Sequence, residues 1–139
     1  MTLPTRSGEI LLLHNPRCSK SREAKALLEE RLEERLEERS KQSSEDRRLV
    51  LSTRLYLDQP LSADELRELQ SRLGRPILEW TRTREDAFAA AGLSRTSSEE
   101  SIRVAMVRAP ILMERPIVVD ARRAVIGRPP TDVLELVGD

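Results

Sequence analysis

The stretch Ile10 to Leu28, ILLLHNPRCSKSREAKALL, constrains this chain more than any other. Ile10 to Leu13 form a short apolar run bounded by turn residues, which reads as a buried strand. Asn15-Pro16 breaks that strand, because proline has no donor N–H. From Ser19 the pattern turns helical: Ala24, Leu27 and Leu28 share a face, a Ser takes the N-cap position and Glu23 falls in the first turn. Cys18, the only cysteine, therefore lies at a strand-to-helix turn, at or beside a helix N-terminus. Free N–H groups and the positive end of the helix dipole stabilise a thiolate there, and Arg17, Lys20 and Arg22 add positive charge. A thiol with an ordinary pKa of about 8.5 falls to roughly 3.5–7.5 in such settings. The same N-terminus attracts an oxyanion, so the turn offers a nucleophile and an anion cradle together. The alternative is a structural Cys packed as a small hydrophobe.

The remaining bounds narrow the class. A chain of 139 residues accommodates one domain, 1–139, with a real core. Lys+Arg and Asp+Glu both number 24, so no charge excess points to nucleic acid or a membrane surface. Tyr56, Trp80 and Phe88 are too few for stacking on bases. The sequence has no apolar run of membrane-spanning length and no signal-peptide pattern, and a cytoplasmic location is expected. A single Cys excludes an internal disulfide and fits a reducing compartment. With His14 as the only histidine, a His/Cys metal site is not expected, and neither is a bound cofactor.

Along the chain, Met1 to Glu9 reads as a loose terminus. The first helix runs into the repeat LEER at 28–31, 32–35 and 36–39, whose leucine stripe drifts around the helix because its period of four exceeds 3.6. Residues 29–48 thus read as a charged helix extension with a mostly solvated outer half, followed by a flexible polar loop from Ser40 to Arg48. Leu49 to Leu57 alternates as a second strand, with Leu49, Leu51, Leu55 and Leu57 on one face and Val50 and Tyr56 opposite. A helical insertion over 61–110 comes next. Ser62 and Glu65 form a capping box, Leu66, Leu69 and Leu73 give the buried face, and Gly74 ends the helix. Pro76 opens a short helix through Ile77, Leu78 and Trp80, a second short piece ends at Gly92, and Ser98 precedes a helix carrying Ile102, Met106 and Val107. Ile117–Val119 and Ala124–Ile126 are strands around a tight turn, and a last helix covers Thr131 to Val137. The order predicts an α/β layered domain with a mixed central sheet.

Three motifs carry a resemblance: HNPRCSKSR at 14–22, LMERPIVV at 112–119 and IGRPPTDVLELV at 126–137. Together, in this order and spacing, they resemble the glutaredoxin-coupled arsenate reductase family, the ArsC type, in its subgroup with the NPRCSKSR signature. The resemblance covers the chain except roughly 29–48. It implies a thioredoxin-like fold with an inserted helical subdomain, and a cis-proline at Arg115-Pro116. It implies reduction of arsenate, or a similar oxyanion, to arsenite: a Cys thiolate attacks arsenic, glutathione as co-substrate attacks the adduct, and glutaredoxin completes the reduction. Carried over by motif, Cys18 is the nucleophile, and His14 and Ser21 tune or hydrogen-bond the thiolate. Arg115 and Arg128 match two of the family's three oxyanion-binding arginines; Arg82 aligns best with the third, with Arg84 two residues away. Arg22 and Pro116 are structural neighbours of the site.

Independently of the resemblance, one Cys demands an external thiol to resolve a covalent adduct. Two alternatives stand beside this reading. One is a glutathione-linked thiol oxidoreductase acting on another substrate, such as a mixed disulfide. The other is a non-catalytic, transcription-regulator-like adaptor of the same fold, although Ser21 stands where a Cys-x-x-Cys switch needs its second thiol.

Overall fold

The computed structural model describes residues 2–41 and 49–137. Strand β1 (Glu9–His14) leads into helix α1 (Ser19–Lys41), and strand β2 (Val50–Leu55) follows. Five helical segments lie between β2 and β3: α2 (Ala63–Leu73), a 3₁₀ turn Ile77–Trp80, α3 (Asp86–Ala90), α4 (Glu99–Arg108) and a 3₁₀ turn Pro110–Leu112. Strands β3 (Ile117–Val119) and β4 (Ala124–Ile126) and a final 3₁₀ helix, Pro130–Val137, complete the chain. Among the described residues, no helix is long and apolar enough to cross a membrane.

The sheet order is β2-β1-β3-β4. β1 and β2 are parallel, while β1–β3 and β3–β4 are antiparallel, so the sheet is mixed as expected. β1 is central and covered on both faces, which is why it reads as an unbroken apolar run. Ile10 and Leu12 pack with Ala24 and Leu28 of α1 and with Val118, Val133 and Val137. Leu11 and Leu13 face the opposite side, toward Leu66, Leu69, Trp80, Ile102, Met106 and Leu112.

Local sequence accounts for much of this. Ser62 and Glu65 close a reciprocal capping box on α2, and Gly74, at φ 68°, supplies the left-handed residue that ends it. The helices expected after Pro76 and at the C-terminus are of the tighter 3₁₀ form, the second already starting at Pro130. Some expectations need correction. The N-terminus is not loose: Leu3 is buried, and Pro4 O accepts from Arg72 Nη1 at 2.7 Å. The face of β2 is also reversed at its end. Leu55 and Leu57 are exposed, whereas Arg54 and Tyr56 are buried. Arg54 reaches inward because Glu65 Oε2 and Oε1 take its Nη1 and Nη2 at 2.7 and 3.0 Å, and the Gln59 and Pro60 carbonyls take its Nε and Nη2. That guanidinium holds the Glu65 carboxyl below the usual range against the opposing effect of its burial.

α1 continues through Ser40 and Lys41, residues expected to begin the loop. Its inner part is docked: Leu28 is buried, Leu32 packs with the lower core, and Arg35 Nη1 donates to Val137 O at 2.9 Å. The side chains of the third LEER copy, and residues 42–48 of the expected loop, lie outside the described residues.

Strand directions decide where chemistry can gather. His14 ends β1 beside Leu55 at the end of parallel β2. Ile117 opens β3 beside Leu13, and Ile126 closes β4 beside Ile117. The residues just past β1 and β2, just before β3 and just past β4 therefore share one end of the sheet. They are the Cys18 loop, Tyr56, Arg115-Pro116 and Gly127-Arg128. Gly127 donates its N–H to Pro116 O at 2.8 Å, and a Cβ there would sit 2.7 Å from Val133 Cγ1 and 2.8 Å from Pro116 Cγ. Gly127→Ala is thus expected to cost about 1–3 kcal/mol by overpacking. In thermal unfolding this reads as a Tm lower by about 3–10 °C. An unchanged Tm would mean that this contact relaxes freely.

Candidate functional site

Cys18 is followed by the first residue of α1, and its carbonyl accepts the Arg22 N–H at 3.0 Å. Cys18 itself is therefore the N-cap, one position before the expected Ser. The loop reaching it is held by hydrogen bonds within its own segment. Cys18 N donates to Asn15 O at 3.0 Å, and Asn15 Oδ1 accepts from Arg17 N at 3.0 Å. Arg22 Nη1 donates to Pro16 O at 2.9 Å, so Arg22 buttresses the turn rather than the sulfur. No acidic residue lies in the first turn of α1; Glu23 falls just beyond it, which leaves the positive end of the helix uncompensated.

The Cys18 thiol is partly exposed and held below its ordinary pKa. Burial pushes it up, but hydrogen bonds from the Ser21 N–H, the Arg115 guanidinium and the Lys20 N–H, with the Arg115 charge, outweigh that effect. The cation that acts on the sulfur thus comes from across the sheet, from before β3. The neighbouring Arg17, Lys20 and Arg22 do not supply it.

His14 and Ser21 are brought together. Both are buried, with His14 Nδ1 2.7 Å from Ser21 Oγ, which also accepts from Asn15 N at 3.0 Å. Burial lowers the His14 pKa, with Lys25 and Arg22 adding to the effect and Glu29 opposing it. The short contact lets the hydroxyl and the imidazole nitrogen share one hydrogen bond, whichever of the two carries the proton. This pair sets the loop's shape; the group that Ser21 directs at the sulfur is its backbone N–H.

The three arginines expected at an oxyanion site converge, though not equally. Arg115 lies beside Cys18, and its Nε and Nη1 are buried without a hydrogen-bond partner among the described residues. Its pKa is raised: burial lowers it, and the hydrogen bond to Cys18 together with the Cys18 and Glu85 charges overcomes this. Arg82 Nη1 donates to Glu114 Oε1 at 3.0 Å and its Nε to Glu85 Oε1 at 3.2 Å. Arg128 Nε lies 3.2 Å from the same Glu114 oxygen and donates to Arg115 O at 2.9 Å. The Arg115 backbone N–H donates to that oxygen as well, at 3.1 Å. Arg82 is placed there by a bridge between Thr81 and Met113 and by its own N–H to Leu112 O at 2.7 Å. Arg84 is exposed, whereas Arg82 is half-buried and joined to Glu114 beside Arg115. Pro116 is buried, and the peptide bond before it is cis, as is Arg128-Pro129.

Sequence reasoning missed two participants. Glu114 lies inside LMERPIVV, yet its part as the carboxylate that gathers Arg82 and Arg128 emerges only from the fold. The alternation sets Tyr56 opposite the leucines of its strand, and nothing local marks it as a neighbour of Cys18. The readable signal was its position just past a strand parallel to β1, which brings it to the same sheet end as the Cys turn. The assembly offers a thiolate, a helix N-terminus and unpartnered guanidinium N–H groups at one point. That combination can hold a tetrahedral oxyanion against a nucleophile.

The comparisons agree on one family. The ArsC family model matches residues 13–136. An uncharacterized Escherichia coli K12 protein, YfgD, is 42% identical over 132 residues, covering 94% of this chain and 98% of that protein. An arsenate reductase of Haemophilus influenzae is 32% identical over 130 residues, covering 92% and 98%. Among solved structures, an arsenate reductase from Vibrio cholerae superposes with a TM-score of 0.76 at 32% identity, covering 94% of this chain and 98% of that one.

Proposed function

The chain belongs to the ArsC family and has a thioredoxin-like fold, and from that premise we propose that it is a thiol-dependent arsenate reductase coupled to glutathione and glutaredoxin. The observation that carries the reading is the pairing of Cys18, as the N-cap of α1, with Arg115, whose Nε and Nη1 have no hydrogen-bond partner among the described residues. Arsenate near neutral pH is a tetrahedral anion, and it supplies the acceptors those donors lack.

In this mechanism the anion docks between the α1 N-terminus and Arg115, with Arg82 and Arg128 adding positive charge at the rim. Glu114 holds those two in place. The Cys18 thiolate attacks arsenic and an arsenic-bound oxygen leaves as water, its protons drawn from the anion and solvent, forming a sulfur–arsenic bond. Arg115 offsets the charge that builds as thiolate and oxyanion meet. Reduction from As(V) to As(III) requires two electrons. With one Cys in the chain, they come from the Cys18 thiolate and one external thiol. Glutathione attacks the adduct, arsenite leaves, and Cys18 remains as a mixed disulfide with glutathione. Glutaredoxin then takes the glutathionyl group and regenerates the thiolate. Cys18 is only partly buried, which suits attack by an external thiol.

The test is arsenate-dependent NADPH oxidation in a mixture of the protein, glutathione, glutaredoxin and glutathione reductase. Saturable turnover that needs all components is the expected result. Turnover of a glutathione mixed disulfide without any on arsenate would replace this substrate with the other one.

A further inference from the structure

Tyr56 is the largest feature of this end of the sheet that the mechanism above leaves idle. It is fully buried, and its hydroxyl has no well-formed hydrogen bond among the described residues. Buried hydroxyls are nearly always paired, because leaving one unpaired forfeits its bond to water. Phenylalanine would fill the same volume without that penalty, so packing alone does not account for the oxygen. The residue follows β2 directly, and Leu55 before it pairs with His14, which places Tyr56 alongside the Cys18 loop. Its charged neighbours are Arg115, Cys18 and Arg82, the same groups that frame the nucleophile. Arg115 Nε and Nη1 lack a hydrogen-bond partner among the described residues, and the Arg115 guanidinium lies close enough to act on the Tyr56 hydroxyl. Donors gathered beside one sulfur suit an acceptor that carries several oxygens.

We propose that the Tyr56 hydroxyl is a direct ligand of the bound oxyanion, a neutral donor that completes the cradle formed by Arg115 and the N-terminus of α1. The proposal rests on the reading of this site as an oxyanion site and assigns it a further substrate contact. Tyr56 can act as such a donor because its proton is retained. Burial pushes its pKa up to about 12, with the Cys18 charge adding to the effect and Arg115 and Arg82 opposing it. A neutral O–H also adds a hydrogen bond without further attraction for the thiolate. It therefore favours a ligand carrying several oxygens over a simple monoatomic anion, which the cationic groups alone would accept.

Tyr56→Phe separates this role from a structural one. Three measurements on the full chain are needed: the ligand-free Tm, the arsenate KM and kcat in the coupled assay, and the concentration of arsenate that protects Cys18 from iodoacetamide. The expected variant is as stable as wild type or more so. Its KM and protection constant rise roughly tenfold to a hundredfold, as for loss of one hydrogen bond to a charged partner, with a smaller change in kcat. A clearly lower ligand-free Tm, or a variant that does not fold, would show that the hydroxyl serves the fold and overturn the proposal. So would a protection constant and KM equal to those of wild type. If arsenate neither protects Cys18 nor turns over in wild type, the oxyanion reading itself falls, and the Tyr56 assignment with it. Protection in wild type that Tyr56→Phe does not weaken removes only the assignment.

Discussion

Cys18→Ser is expected to reduce arsenate-dependent NADPH oxidation to the assay background while leaving the fold intact. Loss of an enzyme's nucleophile costs on the order of 10⁶-fold in kcat, and no second thiol exists here to substitute. The fold survives because Cys18 is the N-cap of α1 and serine is among the preferred residues at that position. The Tm of the variant should thus stay close to that of wild type, so that lost activity cannot be ascribed to unfolding. Wild type carries the complementary signature in its pH dependence. The folded thiol titrates below an unperturbed cysteine because the Ser21 and Lys20 N–H groups and Arg115 outweigh its burial. The thiolate form is then present above the folded pKa and lost as pH falls through it, and the stabilisation it gives the fold is lost in the same direction. Iodoacetamide alkylation of Cys18 should therefore persist to lower pH than alkylation of a cysteine in an unstructured peptide. Coincident profiles, or turnover retained by Cys18→Ser, would remove Cys18 from the mechanism.

What could be read from the chain and what could not divide along the line between local and tertiary chemistry. β1 was legible because a strand buried on both faces must be apolar throughout, and Ile10 to Leu13 are. α2 was legible at both ends because Ser62, Glu65 and Gly74 act on their own backbone neighbours. The face of β2 was misread because its inward residues include Arg54, whose burial depends on Glu65 and on carbonyls several residues away. β2 is also an edge strand, so Leu55 and Leu57 can remain exposed without breaking the core. The Cys turn was located correctly, yet the cation that tunes it was not. Sequence proximity favoured Arg17, Lys20 and Arg22, whereas topology delivers Arg115. Choosing between Arg82 and Arg84 needed the bridge from Thr81 to Met113, a pairing across the helical segments that no local pattern records. Glu114 draws Arg82 and Arg128 together across segments distant in sequence, so no local pattern in LMERPIVV marks its part.

Arg115→Ala is expected to lower kcat/KM for arsenate by about 10³-fold or more, since removing a single oxyanion donor costs about 10²–10³-fold and Arg115 offers several. Its stability signature should run the other way. Most buried cations are tied into networks whose loss destabilises the protein. Arg115 instead leaves Nε and Nη1 without a hydrogen-bond partner among the described residues. Its truncation removes the cation beside the Cys18 sulfur, and the sulfur can take up a proton and become neutral. A ligand-free Tm equal to that of wild type or higher, with activity nearly abolished, is the pattern of a residue kept for its ligand. Two further readings follow from the same contact. The alkylation profile of Cys18 should move to higher pH in Arg115→Ala, because one of the groups that lowers the thiol pKa is gone. Arg115→Lys should restore part of that shift, since it returns a charge near the sulfur, but little of the turnover, since an ammonium cannot reproduce the planar set of guanidinium donors. If Arg115→Ala kept kcat/KM within about threefold of wild type, a span of less than 1 kcal/mol, the oxyanion would have to be held by Arg82 and Arg128 instead. Those two are already engaged by Glu114, so binding would then require that carboxylate to release them.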